Sequence, residues 1–477
     1  MPAHVAILGG GLSGLSAAFH LSRRFPNALI TIIEKHNKLG GWAQSDRIEV
    51  KDERGQPCSV LLESGPRTLR PNAHSVLELI HLLGLKDSLV LTPRSAAAAR
   101  KRFLYIYGTK GLTPLPSSVA ALVSSPLRSL FVRAGLRDTF IASQSAGDES
   151  VHEFLSRHFG EDFALTLGSA LVHGIYAADS RKLSVRAAFP TLCEAEKRGR
   201  GRVIAGSFLS SPTTTNGYDL GDMKSVMDGV SVYSFRDGLS TITNALQAHL
   251  AFKPNVRMLL GTGVSRLSMG DAVEVTMSTG ERITPTHVVS ALPLPQLQPL
   301  LASSSLPHLN ANPSSSVKVA NFVFPSSSRF HPDGFGYLIP RSKSGYQNSE
   351  NPGILGTVFD SCSLAEQDRP SPAPIKVTMM LGGPYGHVDI PESTLLSHLA
   401  SHVGGVRLPK LLYSRIQHHR DCIPSFTPGH LERMDELRQV LREGPWKGRL
   451  EVIGAGVGGV SVGDCVEAGR NAGVHWQ

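Results

Sequence analysis

The stretch that decides the fold is VAILGGGLSGLSAAFHL, residues 5–21. An apolar strand runs directly into a glycine turn, and the turn opens a helix. Gly9, Gly11 and Gly14 give the spacing Gly-x-Gly-x-x-Gly, and Glu34 ends the next apolar strand. In this context the spacing is typical of a βαβ unit that binds a dinucleotide: Gly9 permits the tight turn, Gly11 lets the backbone approach a pyrophosphate, and Gly14 lets helix and strand pack closely. The helix N terminus attracts the phosphates, and Glu34 accepts hydrogen bonds from a ribose.

The composition is that of a large globular protein. The chain has 477 residues, of which 41% are hydrophobic and 18% charged, and at about 150 residues per domain it forms two or three domains. No segment reaches the roughly 20 consecutive apolar residues of a membrane span. The first strand starts at Val5, so we expect no removable presequence and any targeting signal inside the folded sequence. Widely separated cysteines without metal-ligand spacing argue against disulfides or a metal site: Cys58, Cys193, Cys362, Cys422 and Cys465.

Two more glycine turns favour FAD over NAD. KLGGW at 38–42 follows Glu34 directly, and we expect its glycine pair beside the phosphate turn. ESGPRTLR at 63–70 adds a turn that lines the same crevice in this interpretation. Such extra close-approach glycines suit a longer, more deeply buried cofactor than NAD.

The C-terminal end gives the stronger indication. Gly454, Gly456 and Gly459 repeat the dinucleotide spacing, but only 18 residues follow Gly459, too few for a second βαβ unit of about 30 residues. We therefore expect the last strand to return to the N-terminal sheet and the last helix to close over the ligand. The N terminus of that helix, at 460–464, would stabilise negative charge on a reduced flavin. The predicted cofactor is FAD.

The middle of the chain divides into a helical part and a strand-rich part. Residues 117–200 are mostly helical by pattern, 102–116 are predicted as a hairpin, and 206–222 as a mobile loop. NVRMLLG, AVEVTMSTGERI, VKVANFVF, FGYLIP, ILGTVFD and IKVTMMLGG are predicted to form a mainly antiparallel sheet. The predicted fold class is α/β with α+β: a Rossmann-like FAD-binding domain at 1–90 and 441–477, a helical membrane-associating and substrate-access domain at 91–205, a connection at 206–250, and a β-rich substrate domain at 251–440.

Several longer motifs carry a resemblance to a known family. They are GGGLSGLSAA (9–18), EKHNKLGGW (34–42), LESGPRTLRP (62–71), KRFLYIYG (101–108), FGYLIP (335–340), VTMMLGG (377–383) and GVSVGDCVEAGR (459–470). Together they are similar to the protoporphyrinogen oxidase family, FAD-dependent enzymes related to amine oxidases and phytoene desaturases. The resemblance covers nearly the whole chain.

The resemblance implies site residues and a reaction. It implies FAD contacts at Gly9, Gly10, Gly11, Leu12, Ser13, Gly14, Glu34, Lys35, Trp42, Gly65, Pro66, Arg67, Thr68, Val264, Val460, Ser461 and Val462. It implies substrate contacts at Arg102, Phe335, Leu338 and Met380. The implied reaction is the six-electron oxidation of protoporphyrinogen IX to protoporphyrin IX, with hydride transfer to flavin N5 and reoxidation by oxygen to hydrogen peroxide. No side chain stands out as a general base; His173 is a candidate, although a lone histidine on an apolar helix is more often structural.

A basic stretch accounts for much of the net charge of +9. Residues 91–140 hold eight basic residues and one acid, and 119–137 mix apolar and basic positions as an interfacial helix would. We expect this stretch to lie on an anionic membrane surface, although a basic packed helix remains the alternative because Pro126 interrupts its period. No recognition motif supports nucleic acid as a partner. By resemblance, we expect a peripheral homodimer on the mitochondrial inner membrane, facing the intermembrane space, with ferrochelatase as a candidate receiver of product.

Two alternative functions stay open at this stage. A flavin amine oxidase would be reduced by polyamines and would carry acidic or aromatic-cage residues in place of Arg102. A membrane-associated porphyrin or flavin carrier would bind its ligand without consuming oxygen.

Overall fold

A computed structural model gives the fold of the chain. It describes residues 1–143, 145, 147–209, 217–301, 305–327, 329–347, 350–370 and 372–476. Of the loop predicted at 206–222, the central residues 210–216 lie outside the described residues.

The strands occur in both halves of the chain. They are β1 (His4–Leu8), β2 (Leu29–Ile33), β3 (Ser45–Lys51), β4 (Pro57–Glu63), β5 (Leu89–Pro93), β6 (Phe103–Leu104), β7 (Thr113–Pro114), β8 (Val230–Phe235), β9 (Val256–Leu259), β10 (Val264–Met269), β11 (Val273–Met277), β12 (Arg282–Ile283), β13 (His287–Ser290), β14 (Ser314–Phe324), β15 (Gly336–Leu338), β16 (Ile354–Val358), β17 (Ile375–Gly382), β18 (Tyr413–Pro424) and β19 (Leu450–Val452).

The α-helices cluster in the middle of the chain. They are α1 (Leu12–Arg24), α2 (His74–Leu82), α3 (Ala97–Arg100), α4 (Val119–Val123), α5 (Arg128–Phe140), α6 (Val151–Phe159), α7 (Glu161–Phe163), α8 (Ser169–Tyr176), α9 (Val185–Ala188), α10 (Pro190–Arg198), α11 (Val203–Ser207), α12 (Met223–Val226), α13 (Ser240–Ala251), α14 (Leu294–Leu297), α15 (Asp360–Ser363), α16 (Glu392–His402), α17 (His430–Glu443) and α18 (Val462–Asn471).

The dinucleotide turn opens a five-stranded parallel sheet in the order β19-β13-β1-β2-β9. The predicted return of the C-terminal strand is confirmed, with β13 lying between β1 and β19. Helix α18 then packs on α1: Ser16 Oγ donates to the carbonyl of Val466 at 2.8 Å, and a Cβ added at Gly469 would lie 2.6 Å from the carbonyl oxygen of Ser13. The two chain ends therefore form one nucleotide-binding unit.

Two strand assignments differ from the sequence prediction. NVRMLLG does not join an antiparallel sheet; its β9 pairs in parallel with β2, Ile30 opposite Val256. AVEVTMSTGERI forms β11 and β12 of a separate three-stranded sheet with β10. Both runs alternate apolar and polar residues, and this alternation marks a strand without specifying its partner.

A seven-stranded sheet, in the order β18-β14-β17-β16-β15-β6-β7, forms the second layer. The predicted hairpin at 102–116 is confirmed as the antiparallel pair β6–β7. In addition, β6 pairs in parallel with β15, Leu104 opposite Leu338. This pairing joins two motifs that are more than 200 residues apart in the chain.

The predicted helical region at 117–200 is confirmed, but its basic stretch is not one helix. Residues 119–137 divide between α4 and α5, separated at 124–127 around Pro126. Proline lacks the backbone donor that a continuous helix needs there. Within the part of the chain that the structure describes, no helix is both long and apolar enough to cross a membrane.

Candidate functional site

The phosphate turn has the geometry that its spacing predicts. Gly9 has φ +98°, which favours glycine, and a Cβ added at Gly14 would overlap the carbonyl oxygen of Gly9. Gly11 precedes α1 as its N-cap and has space around it, since an added Cβ would lie 4.0 Å from the nearest atom, Gly41 Cα. The backbone N–H of Gly10 donates to Glu34 Oε2 at 2.7 Å. The open side of Gly11 is where a pyrophosphate can approach the helix N terminus.

The second glycine pair lies beside this turn, as the sequence predicts. The backbone N–H of Gly40 donates to the carbonyl of Gly10 at 2.9 Å, and a Cβ added at Gly41 would lie 3.2 Å from Gly11 Cα. Trp42 follows and is half-exposed, with its ring 5.2 Å from that of His419. The turn therefore continues the crevice away from the phosphate site.

The 65–68 turn forms the next wall. A Cβ added at Gly65 would overlap the carbonyl oxygen of Trp42, so the two turns touch backbone to backbone. Arg67 is buried, and its Nη1 donates to Asp360 Oδ1 at 2.9 Å. This ion pair links the nucleotide-binding unit to the seven-stranded sheet.

The predicted adenosine end of the site lies at β2 and the loop before β10. The backbone N–H of Thr262 donates to the carbonyl of Glu34 at 3.0 Å. A Cβ added at Gly263 would lie 3.7 Å from Lys35 Cβ, which places exposed Lys35 next to the segment that carries Val264. The remaining predicted FAD contacts lie in the segments already described: Leu12 and Ser13 in the first turn of α1, Pro66 and Thr68 around Arg67, and Val460 and Val462 on either side of Ser461.

The N terminus of α18 differs in detail from the prediction. Ser461 Oγ accepts a hydrogen bond from the backbone N–H of Asp464, and Asp464 Oδ2 accepts one from the Ser461 N–H at 3.0 Å. A carboxylate of the chain itself thus uses one donor of the helix terminus that we expected to stabilise the flavin. Gly454 still brings this segment to α1, since an added Cβ would lie 3.8 Å from Ser13 Oγ.

The crevice residues fit FAD. An added side chain at Gly11 would meet no close atom, which leaves space for a pyrophosphate. At Gly14 and Gly65 the backbone packs too closely for a side chain, which keeps the walls of the crevice together. Arg67 Nη2 and His419 Nε2 are buried without a hydrogen-bond partner among the described residues. Buried polar atoms normally have partners, so these two atoms are suited to a ligand that supplies them.

Three of the predicted substrate residues line one face of the seven-stranded sheet or its edge. Leu338 and Met380 lie on either side of Gly356, each directly opposite it in the strand register. A Cβ added at Gly356 would lie 2.9 Å from Leu338 Cδ2, so the missing side chain lets Leu338 pack directly on this strand. Phe335 precedes β15 and is half-buried.

Arg102 lies at the β6 end of this face. Its guanidinium carbon is 6.0 Å from the centroid of the Phe335 ring. Partial burial and the positive charge of Arg70 lower the pKa of Arg102. Arg70 thus adds a second positive charge that acts on Arg102, which favours a carboxylate as ligand. Arg70 stands in the LESGPRTLRP motif, but sequence analysis did not assign it to the site.

Helix α8 adds residues that sequence analysis missed. A Cβ added at Gly174 would lie 2.7 Å from Leu338 Cδ2, while Leu171 and Ile175 are exposed on the same helix. The signal was present as an apolar stretch with a glycine, but a buried core helix has the same pattern. Only the packing of α8 on β15 shows that this helix lies directly against Leu338.

His173 is occupied by structural hydrogen bonds. Its Nδ1 lies 2.7 Å from the carbonyl oxygen of Ile339 and its Nε2 lies 3.0 Å from Tyr346 Oη. Burial lowers the pKa of His173 to about 4. These contacts favour the structural role that the sequence pattern indicated over proton transfer.

Comparisons with known proteins agree with this geometry. The family described as "Flavin containing amine oxidoreductase" matches residues 12–474. A protoporphyrinogen oxidase from Macaca fascicularis is 33% identical over 490 residues, covering 98% of this chain and 97% of its own, and one from Schizosaccharomyces pombe is 30% identical over 504 residues with the same coverage. A solved structure from Exiguobacterium sp. 255-15 has a TM-score of 0.76 at 21% identity, covering 98% of this chain and 97% of its own, and supports the fold.

The chain belongs to the flavin-containing amine oxidoreductase family, and within it to the protoporphyrinogen oxidases. It is an FAD-dependent oxidoreductase with an α/β fold of mixed sheets. The resemblance, enzyme class and cofactor predicted from the sequence are thereby confirmed. The individual contacts assigned to FAD and substrate stay predictions, as do the domain boundaries.

Proposed function

We propose that the protein oxidises protoporphyrinogen IX to protoporphyrin IX in haem biosynthesis. The observation that carries this proposal is the apolar face at Leu338, Gly356 and Met380, bordered by Arg102 and joined to the FAD crevice through Arg67–Asp360. A flat apolar wall with a cation at its edge suits a macrocycle that carries propionates. The curated relatives of similar length carry the same activity in their names.

The chain contributes binding and orientation. Leu338 and Met380 support the ring of the substrate, and Gly356 between them lets Leu338 lie close against the sheet. Arg102 binds a propionate through charge-assisted hydrogen bonds. These contacts fix which bridging carbon faces the crevice and keep water from it, which is the protein's main task when a cofactor carries the redox chemistry.

Bound FAD would supply the hydride acceptor, and molecular oxygen would return the reduced cofactor to its oxidised form. Three rounds remove six electrons and six protons from the porphyrinogen and convert three O2 to three H2O2.

The test is anaerobic mixing of the FAD-loaded protein with protoporphyrinogen IX. We expect the flavin absorbance to bleach, and to return with peroxide when air is admitted. Putrescine serves as the control substrate and is expected to leave the spectrum unchanged. A spectrum that protoporphyrinogen leaves unbleached contradicts the proposal, and bleaching by putrescine would favour an amine oxidase. Porphyrinogen binding without oxygen consumption would favour a carrier.

The α4–α5 segment is proposed to dock on an anionic membrane. Five of its large apolar side chains are 46% to 81% exposed: Val119, Val123, Val132, Leu136 and Phe140. Among the residues of α5, only Ala134 and Asp138 are buried. Exposed apolar residues mixed with arginines are typical of a helix that lies in a lipid interface. This support favours the interfacial interpretation over a basic packed helix.

The cellular setting is also a proposal. We place the protein on the intermembrane-space side of the mitochondrial inner membrane, as a peripheral homodimer that passes product to ferrochelatase. Protease protection of fractionated mitochondria tests the location, and light scattering of the purified holoenzyme tests the dimer. Protection that persists after the outer membrane is opened would contradict the location, and a monomeric mass would contradict the dimer.

A further inference from the structure

Glu63, the last residue of β4, joins three segments that frame the cofactor crevice. The residue is 4% exposed. Its carboxylate accepts a hydrogen bond from Ser45 Oγ of β3 at 2.6 Å and another from the backbone N–H of Leu239, ahead of α13, at 2.9 Å. Ser45 Oγ in turn accepts one from the backbone N–H of Ser240 at 3.0 Å. One carboxylate thus holds β3, β4 and the start of α13 together.

These segments lead directly into the crevice. The 40–44 turn precedes β3, and Gly65 follows β4 by two residues. Helix α13 packs Thr243 against Gly40, where an added Cβ would lie 3.1 Å from Thr243 Oγ1. Beside the carboxylate, a Cβ added at Gly238 would lie 2.6 Å from Glu63 Oε1. A shift of the carboxylate is therefore transmitted to both glycine turns.

The cations that face Glu63 already have partners. Arg67 on the adjacent turn pairs with Asp360 at 2.9 Å, and Lys376 of β17 pairs with Asp368 at 3.0 Å. Their charges therefore compensate Glu63 only in part. Burial dominates over these charges and over the two accepted hydrogen bonds, and it raises the pKa of Glu63 to about 7.

Other charged side chains on neighbouring elements form ion pairs with residues other than Glu63. Asp46 of β3 pairs with Arg415 of β18 at 2.7 Å, and Arg47 pairs with Asp237, ahead of α13, at 2.9 Å. From β14, Asn321 Nδ2 donates to the main-chain carbonyl of Glu63 at 3.4 Å, not to its carboxylate.

We propose that Glu63 is a positioning residue for FAD: its ionised carboxylate clamps the crevice in the shape that holds the cofactor, and protonation releases the clamp. Both contacts of the carboxylate are accepted hydrogen bonds, which suit the ionised form and weaken when one oxygen carries a proton. FAD affinity then falls as the pH decreases through neutrality. Because one proton is exchanged, the dissociation constant rises by at most about tenfold per pH unit. The inference rests on the FAD chemistry of the proposed function and adds its regulation.

The experiment is FAD binding to the apoprotein, followed by the fluorescence of FAD from about pH 8 to about pH 6. The wild-type dissociation constant is expected to rise several-fold across this interval. Glu63→Gln removes the titrating group at nearly constant size. We expect this variant to bind FAD equally weakly at both ends of the pH interval. The matched control is Glu451→Gln in β19, because burial also raises the pKa of Glu451, whose carboxylate accepts from the Gly473 N–H at 2.8 Å. This control should keep the wild-type pH dependence.

Two results would overturn the inference: a wild-type affinity that does not change with pH, or a Glu63→Gln variant that keeps the full pH dependence. Ser45→Ala removes one donor but keeps the titrating group, and we expect it to weaken FAD binding at about pH 8. If Glu63→Gln does not fold, unchanged affinity in Ser45→Ala would overturn the inference instead. Absence of FAD binding by the wild type at every pH would refute the cofactor site, and with it the proposed function.

Discussion

Gly11 and Gly14 are three residues apart, yet their missing side chains have different consequences. A methyl group at Gly14 meets the carbonyl of Gly9, whereas one at Gly11 meets no protein atom closer than 4.0 Å. We expect Gly14→Ala to destabilise the apoprotein by about 1–3 kcal/mol, since backbone must move to admit it. Gly11→Ala should leave apoprotein stability unchanged and lower FAD affinity at least tenfold, because its methyl occupies the pyrophosphate approach.

Urea unfolding of the apoproteins and flavin absorbance after reconstitution separate these two effects. Gly270→Ala, at a turn where an added Cβ meets nothing within 4 Å, is the control and should change neither quantity. Full FAD affinity in Gly11→Ala would place the pyrophosphate elsewhere.

Arg102 is the residue whose charge the proposed substrate needs. We expect Arg102→Gln to raise the KM for protoporphyrinogen roughly tenfold with a smaller change in kcat, since a charge-assisted hydrogen bond contributes about 1.5–3 kcal/mol. Arg100→Gln, two residues earlier, is the control because Arg100 Nε donates to the carbonyl of Arg94 instead. Equal effects of both changes on KM would mean that general surface charge, not a specific contact, binds the propionate.

At the scale of elements, the α4–α5 segment gives a direct test of membrane docking. We expect the wild type to float with vesicles that contain phosphatidylglycerol, less so at high salt, and not with pure phosphatidylcholine. Replacing Val132, Leu136 and Phe140 together with serine should lower vesicle binding at least tenfold, since each buried apolar side chain contributes about 1.5–3 kcal/mol. Phe252→Ser removes another exposed aromatic after α13 and should bind like the wild type. Undiminished flotation of the triple variant would contradict the docking surface.

Elements were predictable where a local pattern has one explanation. The glycine turn with α1, the β6–β7 hairpin and the short C-terminal unit all follow from turn residues and spacing. The sequence pattern did not predict which sheet β9 joins, because a four-residue strand carries no information about its neighbour. Strand β13 was missed for the same reason, although it bridges the two chain ends.

For the whole molecule, buried histidines set the response to acid. Burial lowers the pKa of His173 from 6.5 to about 4. The folded state therefore resists protonation that the unfolded state accepts, so this stability is complete above about pH 6.5 and is lost as the pH falls toward 4. Between about pH 7 and pH 5, His173 alone accounts for a loss on the order of 2 kcal/mol. Glu63, with a raised pKa, acts in the opposite direction between 4.5 and about 7.

Urea unfolding of the apoprotein at these two pH values measures the effect. We expect His173→Gln to reduce the loss of unfolding free energy, while His418→Gln, at an exposed position, leaves it as in the wild type. An unfolding free energy that falls equally in all three proteins would show that His173 does not cause the loss of stability at low pH.

The sequence by itself predicted a dinucleotide site at Gly9–Gly14 with Glu34, and it determined that the C-terminal strand returns to the same sheet and that the cofactor is FAD. These features are local: each depends on backbone conformation and spacing within one turn or one strand–helix unit. Only the tertiary structure decided that Leu338 packs against both Gly356 and Gly174, that Asp464 caps α18, and that Glu63 joins three crevice segments. Periodicity reports that a side chain is buried, but which atoms it meets depends on strand register and domain packing, which bring together residues far apart in the chain.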